Sequence, residues 1–471
     1  MNGKRWIKAA LCLAALATAG SSAAKVTLPA LLAENMVLQQ RAKVLLWGHS
    51  TAKDRVTVRV SWDRKRYVAH CDGNGAWQVE VTTPSAGGPH TLTFDDGETL
   101  RIGNVYIGEV WLCSGQSNME MPMRGYTGQP VRGSNEIIAE ADPAVPIRMF
   151  TVRKNASKIP VDTVSGSWLQ NSSDAVASFS ATAYYFGLQL YRSLHVPVGL
   201  IHTSWGGSTI EAWMPADTLK RFSGIRLTHL QEGEKSKRPQ YDASLLHNGM
   251  LYPLRNCTVK GVIWYQGESN AGRARQYVDL QQSFVKYLRA LFRTPELPFY
   301  YTQIAPHRGS DSLSVALMRE AQLECESLIP HSGMAVLTDC GEKMCIHPSR
   351  KELAGRRLAY LALRNDYGRS GVTAQPPVYR SKRIDGDRII LEFDRLGAGL
   401  TSFGKDPATF EIAGADRVFH PAHAEVQKTK VVVWSEQVRN PVAVRYAFRN
   451  FVVGDLFSVS GLPVSSFRTD F

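Results

Sequence analysis

The middle of the chain, residues 104–366, alternates between short apolar runs and amphipathic helical patterns. Runs typical of buried strands occupy residues 198–202, 261–265, 299–302 and 334–338. Apolar residues recur every three or four positions, as on one face of a helix, over residues 181–194, 277–292, 313–328 and 350–363. This alternation predicts an α/β fold in which helices cover both faces of a mostly parallel sheet. In such sheets, active sites form beyond the carboxyl ends of the strands.

Both flanks of this region carry a different pattern, in which short alternating or β-branched runs are separated by turn residues. These runs are residues 44–47, 55–60, 66–69 and 77–81 before the region, and 388–393, 409–413, 430–434 and 442–446 after it. A flank of this kind is typical of a small β-sandwich. We therefore predict three domains: an N-terminal β-sandwich over residues 25–103, the α/β domain over 104–370 and a C-terminal β-sandwich over 371–471.

The start of the chain has the pattern of a targeting segment. Three basic residues, Lys4, Arg5 and Lys8, precede an apolar run over residues 9–19, and small residues follow. The run is too short to span a bilayer. We predict that residues 1–24 are a cleaved signal peptide and that the protein is exported, to the periplasm or the extracellular space.

The composition excludes some classes of partner. Of the 471 residues 44% are hydrophobic, which is ample for large cores, and the formal net charge is +13. The basic residues form no block and no nucleic-acid motif, so we interpret the charge as a solvated surface and expect no nucleic-acid partner. After the leader, no apolar run is long enough for a membrane helix, and we expect no membrane partner.

A candidate nucleophile follows the first buried run of the α/β region. The run over residues 110–113 breaks at Ser114-Gly115, and Ser117 lies in the small polar turn that comes next. A serine hydroxyl attacks a carbonyl well when a tight turn presents it beside a base and beside N–H groups that receive the oxyanion. Glycine at 115 allows such a turn.

Other strand ends offer the partners that this serine needs. Residues 202–209 form a glycine-rich turn after one predicted strand, and residues 266–270 follow another and bring an amide donor in Asn270. His347 lies just before the last predicted helix. A histidine there is a candidate base for Ser117.

Taken together, these segments resemble the SGNH hydrolases, and among them the sialate O-acetylesterases. The likeness continues near both ends of the chain, in residues 34–40 and 465–470. It rests on four blocks in family order: Gly115-Gln116-Ser117-Asn118-Met119, Trp205-Gly206-Gly207-Ser208, Trp264-Tyr265-Gln266-Gly267-Glu268-Ser269-Asn270 and Ile346-His347-Pro348.

This resemblance implies a serine esterase that removes O-acetyl groups from sialic acids without a metal or other cofactor. Ser117 matches the nucleophile and His347 the general base. Three groups match the oxyanion donors: the Ser117 N–H, a glycine of the Gly206-Gly207 pair and the Asn270 side chain. Of the two glycines, Gly207 is preferred. An esterase for another acetylated glycan such as xylan is an alternative. So is a non-catalytic glycan-binding protein, although such a protein needs no nucleophile, base and oxyanion donor together.

The sequence departs from the family pattern beside the histidine. Relatives commonly carry an aspartate two or three residues before it, where this chain has Cys345 and Met344. Either His347 works without an orienting acid, held by a backbone carbonyl, or an acid reaches it from elsewhere. The candidates are Asp339, Glu342 and Glu268, of which Asp339 is preferred because it lies at a strand end.

Two further expectations concern the same region. Cys340, Cys345 and His347 lack an evident fourth zinc ligand, and the exported context favours a Cys340–Cys345 disulfide instead. Trp205 is the aromatic residue best placed to stack on a sugar ring.

Overall fold

The structure is a computed structural model that describes residues 25–234, 236–309, 311 and 313–470. The predicted signal peptide lies outside the described residues. In the part of the chain that is described, no helix combines the length and apolar character needed to cross a membrane.

The N-terminal region is built mainly from antiparallel strands, with β2 parallel to β8. β1, β3 and β6 form one sheet, and β5, β4, β7 and the first part of β8 form another. The strands are β1 (Val26–Thr27), β2 (Val37–Gln39), β3 (Lys43–Ser50), β4 (Arg55–Val60), β5 (Arg66–His70), β6 (Ala76–Thr82), β7 (Gly87–Asp95) and β8 (Thr99–Gly115). The boundary predicted between residues 103 and 104 falls inside β8, which continues without a break into the central sheet.

The central sheet has the order β10-β9-β11-β8-β12-β13-β14. Its further strands are β9 (Ile147–Thr151), β10 (Trp168–Leu169), β11 (Val198–Ser204), β12 (Gly261–Tyr265), β13 (Phe299–Thr302) and β14 (Ser332–Ala335). Six of these strands run parallel and β10 is antiparallel at the edge; the parallel strands are, in order, β9, β11, β8, β12, β13 and β14. A large mixed sheet therefore organises the middle of the chain.

Helices cover both faces of this sheet, as predicted. The helices are α1 (Ser117–Glu120), α2 (Ser134–Ala139), α3 (Ser173–Ser178), α4 (Ala181–Leu194), α5 (Ala216–Leu219), α6 (Ala274–Leu291), α7 (Ser314–Leu328) and α8 (Lys351–Asn365). Alternate strand residues point to opposite faces, so Trp111 packs on Phe186 of α4, whereas Trp264 packs on Phe284 of α6. α8 shares the core of α4, and α7 shares that of α6.

The C-terminal region consists of two four-stranded antiparallel sheets, β15-β16-β21-β20 and β19-β18-β22-β24, with β17 and β23 as a separate pair. Ile389 and Val431 from one sheet and Ile412 and Val444 from the other share one buried core. The strands are β15 (Val378–Asp385), β16 (Arg388–Asp394), β17 (Leu400–Thr401), β18 (Phe410–Ala413), β19 (Phe419–Pro421), β20 (His423–Gln427), β21 (Lys430–Trp434), β22 (Ala443–Tyr446), β23 (Phe457–Ser458) and β24 (Phe467–Arg468).

Arg319 of α7 joins the C-terminal region to the α/β core by hydrogen bonds. Its guanidinium is completely buried and donates to the backbone carbonyls of Ala447 and Arg449 and to the Ser466 hydroxyl, at 3.1, 2.6 and 3.0 Å. Burial lowers the pKa of Arg319 to about 9. Because these acceptors satisfy the buried charge, the C-terminal strands are held against the α/β domain.

Candidate active site

Three adjacent parallel strands end at the same level of the sheet. Gly115 at the end of β8 lies opposite Ser204 at the end of β11 and Tyr265 at the end of β12. The segments that follow these strands therefore leave the sheet side by side. They carry Ser117, the Gly206-Gly207 pair and Asn270.

A sharp turn places Ser117 at the first position of α1. Gly115 has φ of +145°, and a Cβ there would overlap the backbone oxygen of Tyr265, so only glycine fits. The Gln116 N–H donates to that same oxygen at 2.9 Å. Ser117 is half-buried, and its backbone N–H forms no hydrogen bond with any described residue. The turn thus leaves both the Ser117 side chain and its N–H available.

The glycine-rich loop packs directly on this turn. The Trp205 N–H donates to the Gly115 carbonyl at 3.2 Å, and a Cβ added to Gly206 would come within 3.5 Å of the Ser117 Cβ. The Gly206 N–H donates to the Glu120 carboxylate. Gly207, with φ of +74°, has an N–H that bonds to no residue in the described ranges. Of the two glycines, Gly207 therefore has the donor that is left for a ligand.

The loop conformation depends on Glu120, which no sequence motif singled out. Besides the Gly206 N–H, its carboxylate binds the Lys154 ammonium at 2.6 Å. Lys154 in turn lies 5.4 Å from the centre of the Trp205 ring, a distance typical of a cation–π contact. This face of Trp205 is therefore occupied by a lysine rather than open to a sugar.

The side-chain amide of Asn270 is buried and held in one orientation. Its Oδ1 accepts from the Ile210 N–H at 3.0 Å and from Gln266 Nε2 at 2.7 Å, and its Nδ2 donates to Glu211 at 2.9 Å. Glu211 is also paired with Arg273 at 2.6 Å. Since Nδ2 carries two hydrogens, one N–H remains for a ligand.

Asn118 connects the nucleophile turn to the histidine loop. Its Nδ2 donates to the backbone oxygen of Ile346 at 3.0 Å and to the Glu268 carboxylate at 2.5 Å. Its Oδ1 accepts from the Lys351 ammonium at 2.5 Å. The residue after Ser117 is thus bonded to the residue before His347, which joins the loops of the two predicted catalytic residues.

Lys351 is a buried cation under this site. Only 1% of it is exposed, and burial lowers its pKa to about 8 despite the nearby Glu268 carboxylate. Burial also raises the pKa of Glu268. The helical periodicity indicates this burial, since Lys351 precedes Ala354 and Leu358 at the spacing of the buried face of α8. The asparagine between lysine and carboxylate keeps both groups hydrogen-bonded.

The imidazole of His347 is held by a short turn over residues 126–129. Its Nδ1 lies 2.5 Å from Gln129 Oε1, and its ring meets the edge of Tyr126 at a centroid distance of 5.4 Å. The Tyr126 hydroxyl donates to the Ser117 carbonyl at 3.4 Å. Burial, with the positive charges of Lys351 and His307, lowers the pKa of His347 to about 4. The imidazole is therefore neutral over most of the pH range.

The acids expected beside His347 are bound to other groups. Both carboxylate oxygens of Asp339 accept from Arg357, at 2.7 and 2.8 Å, which corrects the expectation that this aspartate orients the imidazole. Glu342 accepts from the Ser349 N–H at 2.9 Å. Among the described residues the side chain bonded to His347 Nδ1 is instead Gln129, which lies in no sequence motif.

The cysteines of this loop also differ from the expectation. Cys340 and Cys345 are free thiols, so the expected disulfide is absent from the described chain. The Cys345 thiol donates to the His347 carbonyl at 3.1 Å, whereas Cys340 is buried and donates to the Leu337 carbonyl at 3.4 Å. No three His, Cys, Asp or Glu side chains within the described ranges are grouped so as to bind a metal.

A cavity of about 440 Å³ lies next to the His347 loop; Gln129, Cys345 and Ile346 line it, whereas His347 and Ser117 do not. Gln129, Glu268 and His307 contribute to its polar wall, while Arg308 and Lys343 are exposed at its rim. Neither rim cation forms an ion pair with a described carboxylate. The cavity therefore combines hydrogen-bonding groups with a positive rim, next to the loop that carries the candidate base.

Comparison with known proteins places this chain in a family. The family model for carbohydrate esterases described as sialic acid-specific acetylesterases matches residues 107–350, which include all four sequence blocks. The sialate O-acetylesterase of Mus musculus is 26% identical, over 88% of this chain and 87% of its own. That of Homo sapiens is 32% identical, over 50% of this chain and 47% of its own.

A solved structure extends the likeness to the flanks. A carbohydrate acetylesterase from Xanthomonas citri matches 95% of this chain and 100% of its own, with 35% identity and a TM-score of 0.86. The resemblance seen in the sequence is thus confirmed along nearly the whole chain. The protein belongs to the sialic acid-specific acetylesterase family of carbohydrate esterases and is an ester hydrolase.

Proposed function

We propose that this protein is a serine esterase with an SGNH-type active site that hydrolyses O-acetyl esters of sialic acids. The observation that carries the proposal is the convergence of three aligned strand ends on Ser117. The segments that leave these strand ends side by side also carry the unoccupied N–H of Gly207 and the fixed amide of Asn270, which supports their role as donors. The bond from Asn118 to Ile346 adds the loop of His347. This set supplies a nucleophile, oxyanion donors and a base.

The reaction proceeds in two halves. In the first, Ser117 Oγ attacks the acetyl carbonyl while His347 Nε2 takes its proton, and the N–H groups of Ser117, Gly207 and Asn270 stabilise the oxyanion. The tetrahedral intermediate collapses, the imidazolium protonates the departing sugar oxygen, and an acetyl ester remains on Ser117. In the second half, water loses a proton to His347 and attacks this ester, which releases acetate and restores the serine.

Two observations bear on the sugar. The family description and the mammalian relatives favour O-acetylated sialic acid, and the rim cations Arg308 and Lys343 suit its carboxylate. A neutral acetylated glycan such as xylan is the second candidate. One observation supports this second candidate. The Xanthomonas citri protein, which is 35% identical and matches 95% of this chain, is described only as a carbohydrate acetylesterase.

Parallel assays of acetate release separate these substrates. We would compare 9-O-acetylated sialic acid with acetylated xylan, using Ser117→Ala as the blank. Ser117-dependent release from the sialate, with a much higher kcat/KM than from xylan, is the expected result. Preference for xylan would retain the chemistry but replace the substrate. Release from neither would oppose the proposed activity.

We also propose that the protein is exported, because the first 24 residues have the composition of a cleaved leader. N-terminal sequencing of protein recovered from the periplasm or culture medium tests this. A chain that stays in the cytoplasm with its leader attached would contradict it.

Asn270→Ala should lower kcat by about 10²- to 10³-fold, the loss typical of removing one oxyanion donor. KM should change little, because the amide gains its interaction mainly in the transition state. Steady-state kinetics check this, with the exposed Asn440→Ala as the matched control and thermal melting to verify the fold. An Asn270→Ala enzyme with the kcat of the wild type would remove Asn270 from the oxyanion hole.

The pH dependence should show an unusually low acid limb. The His347 imidazole accepts a proton only in its neutral form, and its pKa is lowered to about 4. As pH falls, kcat/KM should therefore remain high through pH 6 and decline near pH 4. A profile measured with a small acetyl ester tests this, and a decline centred near the ordinary histidine pKa of about 6.5 would contradict it.

A further inference from the structure

We propose that Gln129 is the residue that orients His347, in the position that a carboxylate occupies in a Ser-His-Asp triad. The inference rests on the proposed roles of Ser117 and His347. Its basis is the 2.5 Å contact between Gln129 Oε1 and His347 Nδ1. An amide oxygen can only accept, so Nδ1 carries the hydrogen and Nε2 is left bare. Nε2 is the atom that takes the proton of the nucleophile.

The backbone around Gln129 is rigid enough for this task. Tyr126 and Gln129 exchange backbone hydrogen bonds of 3.0 and 2.9 Å, which close a tight turn. The same turn contacts both catalytic candidates, because Tyr126 packs on the His347 ring and its hydroxyl donates to the Ser117 carbonyl. Fixing the turn therefore fixes the distance between the base and the nucleophile.

This chain lacks the aspartate that usually orients the histidine. The loop before His347 has a methionine and a thiol where an aspartate is expected, and the Cys345 thiol donates to the His347 backbone rather than to its ring. Asp339 is held by Arg357, Glu342 by the Ser349 N–H and Glu268 by the Asn118 amide. Among the described side chains, Gln129 is thus left as the hydrogen-bond acceptor for Nδ1.

An amide differs from a carboxylate in one important respect: it orients the imidazole without a negative charge. The ring is surrounded mainly by neutral and positive groups. The titratable or charged side chains on the elements packed around it are Tyr126, Arg132, Glu268, His307, Glu342, Cys345, Arg350 and Lys351. Burial is the largest cause of the lowered pKa of His347, and Lys351 and His307 add to it. The base is therefore kept neutral in acidic surroundings, where a carboxylate partner would cause it to be protonated.

The test compares Gln129→Glu with Gln129→Ala. Gln129→Glu preserves the shape and acceptor but adds a charge, so it should retain most of kcat at neutral pH and move the acid limb of kcat/KM upward by about one pH unit or more. Gln129→Ala removes the acceptor and should lower kcat by more than about 10-fold, with little change in KM. The loss should remain below the roughly 10⁴-fold seen when a true triad loses its acid function.

The controls separate orientation from structural support. Gln189→Ala, on α4 and away from the site, should behave as the wild type. Thermal melting shows whether each variant is folded. The proposal is overturned if folded Gln129→Ala keeps the wild-type kcat, or if Gln129→Glu leaves the acid limb in place. Failure of the proposed function looks different, because the wild type itself would then release no acetate in a Ser117-dependent way.

Discussion

Replacing Ser117 with alanine is expected to lower acetate release by about 10⁴- to 10⁶-fold, the range seen when a serine hydrolase loses its nucleophile. The reason is specific to the chemistry. Alanine retains the backbone N–H and the tight turn set by Gly115, so the proposed oxyanion donors stay in place. The oxygen that would form the acyl-enzyme is lost. The effect should therefore appear in kcat, with KM little changed.

The measurement is acetate release under saturating substrate, with thermal melting and glycan binding recorded for the same preparations. Ser134→Ala is the matched control, because Ser134 begins α2 outside the site and should retain full activity. Ser117→Ala should bind the glycan as tightly as the wild type. A folded Ser117→Ala protein that releases acetate at the wild-type rate would refute the mechanism.

Loss of the base should be nearly as severe. His347→Ala is expected to reduce kcat by about 10⁴- to 10⁶-fold, because the serine hydroxyl then has no acceptor for its proton. Catalytic residues that act as a unit are not additive, so the double variant Ser117→Ala/His347→Ala should be no worse than either single variant by more than about 10-fold. The imidazole is held by Gln129 and Tyr126, which contribute no base of their own.

The measurement is a double-mutant cycle, in which kcat is compared among the wild type, the two single variants and the double variant. His202→Ala would be a poor control, because that buried imidazole bonds to the Ser204 hydroxyl inside the sheet and its loss would disturb the fold. The exposed His423→Ala in the C-terminal region is the better one. Fully additive losses in the double variant would show that Ser117 and His347 act independently, which is incompatible with a nucleophile that is activated by this base.

The α/β core was predictable because its sequence periodicity is strong. The predicted strands over residues 261–265 and 299–302 and the helix over 181–194 coincide with β12, β13 and α4. The strand predicted over residues 334–338 is displaced, since the parallel pairing ends where Thr302 meets Ala335. β9 was missed because the buried Arg148 interrupts its apolar run; its guanidinium stacks on Tyr106 at 4.8 Å.

The candidate site was predictable only as far as local motifs reach. Ser117, Gly207, Asn270 and His347 each follow an apolar run or precede a helix, and the structure brings their loops together. Whether they perform the roles assigned to them stays a prediction until the variants are measured. The motif blocks identify candidate atoms, and the alignment of three strand ends explains how they meet.

The partner of His347 was beyond the reach of those motifs. Gln129 lies 218 residues away in the chain, within a short turn that has no periodic pattern. Asp339 looked better placed to orient His347 because it follows a strand. Arg357 of α8, however, donates to both oxygens of its carboxylate. Long-range pairing of this kind depends on how helices and loops pack, which a local pattern does not record.

Trapping the acetylated enzyme would test the role of Ser117 as nucleophile without relying on rates. The protein is mixed with an excess of 9-O-acetylated sialic acid, quenched in acid while turnover is in progress, and digested for mass spectrometry. We expect one acetyl group on the peptide that contains Ser117, and none on the same peptide from Ser117→Ala. An acetyl group trapped on another residue, or an equal amount of acetylated peptide from Ser117→Ala, would refute a Ser117 acyl-enzyme.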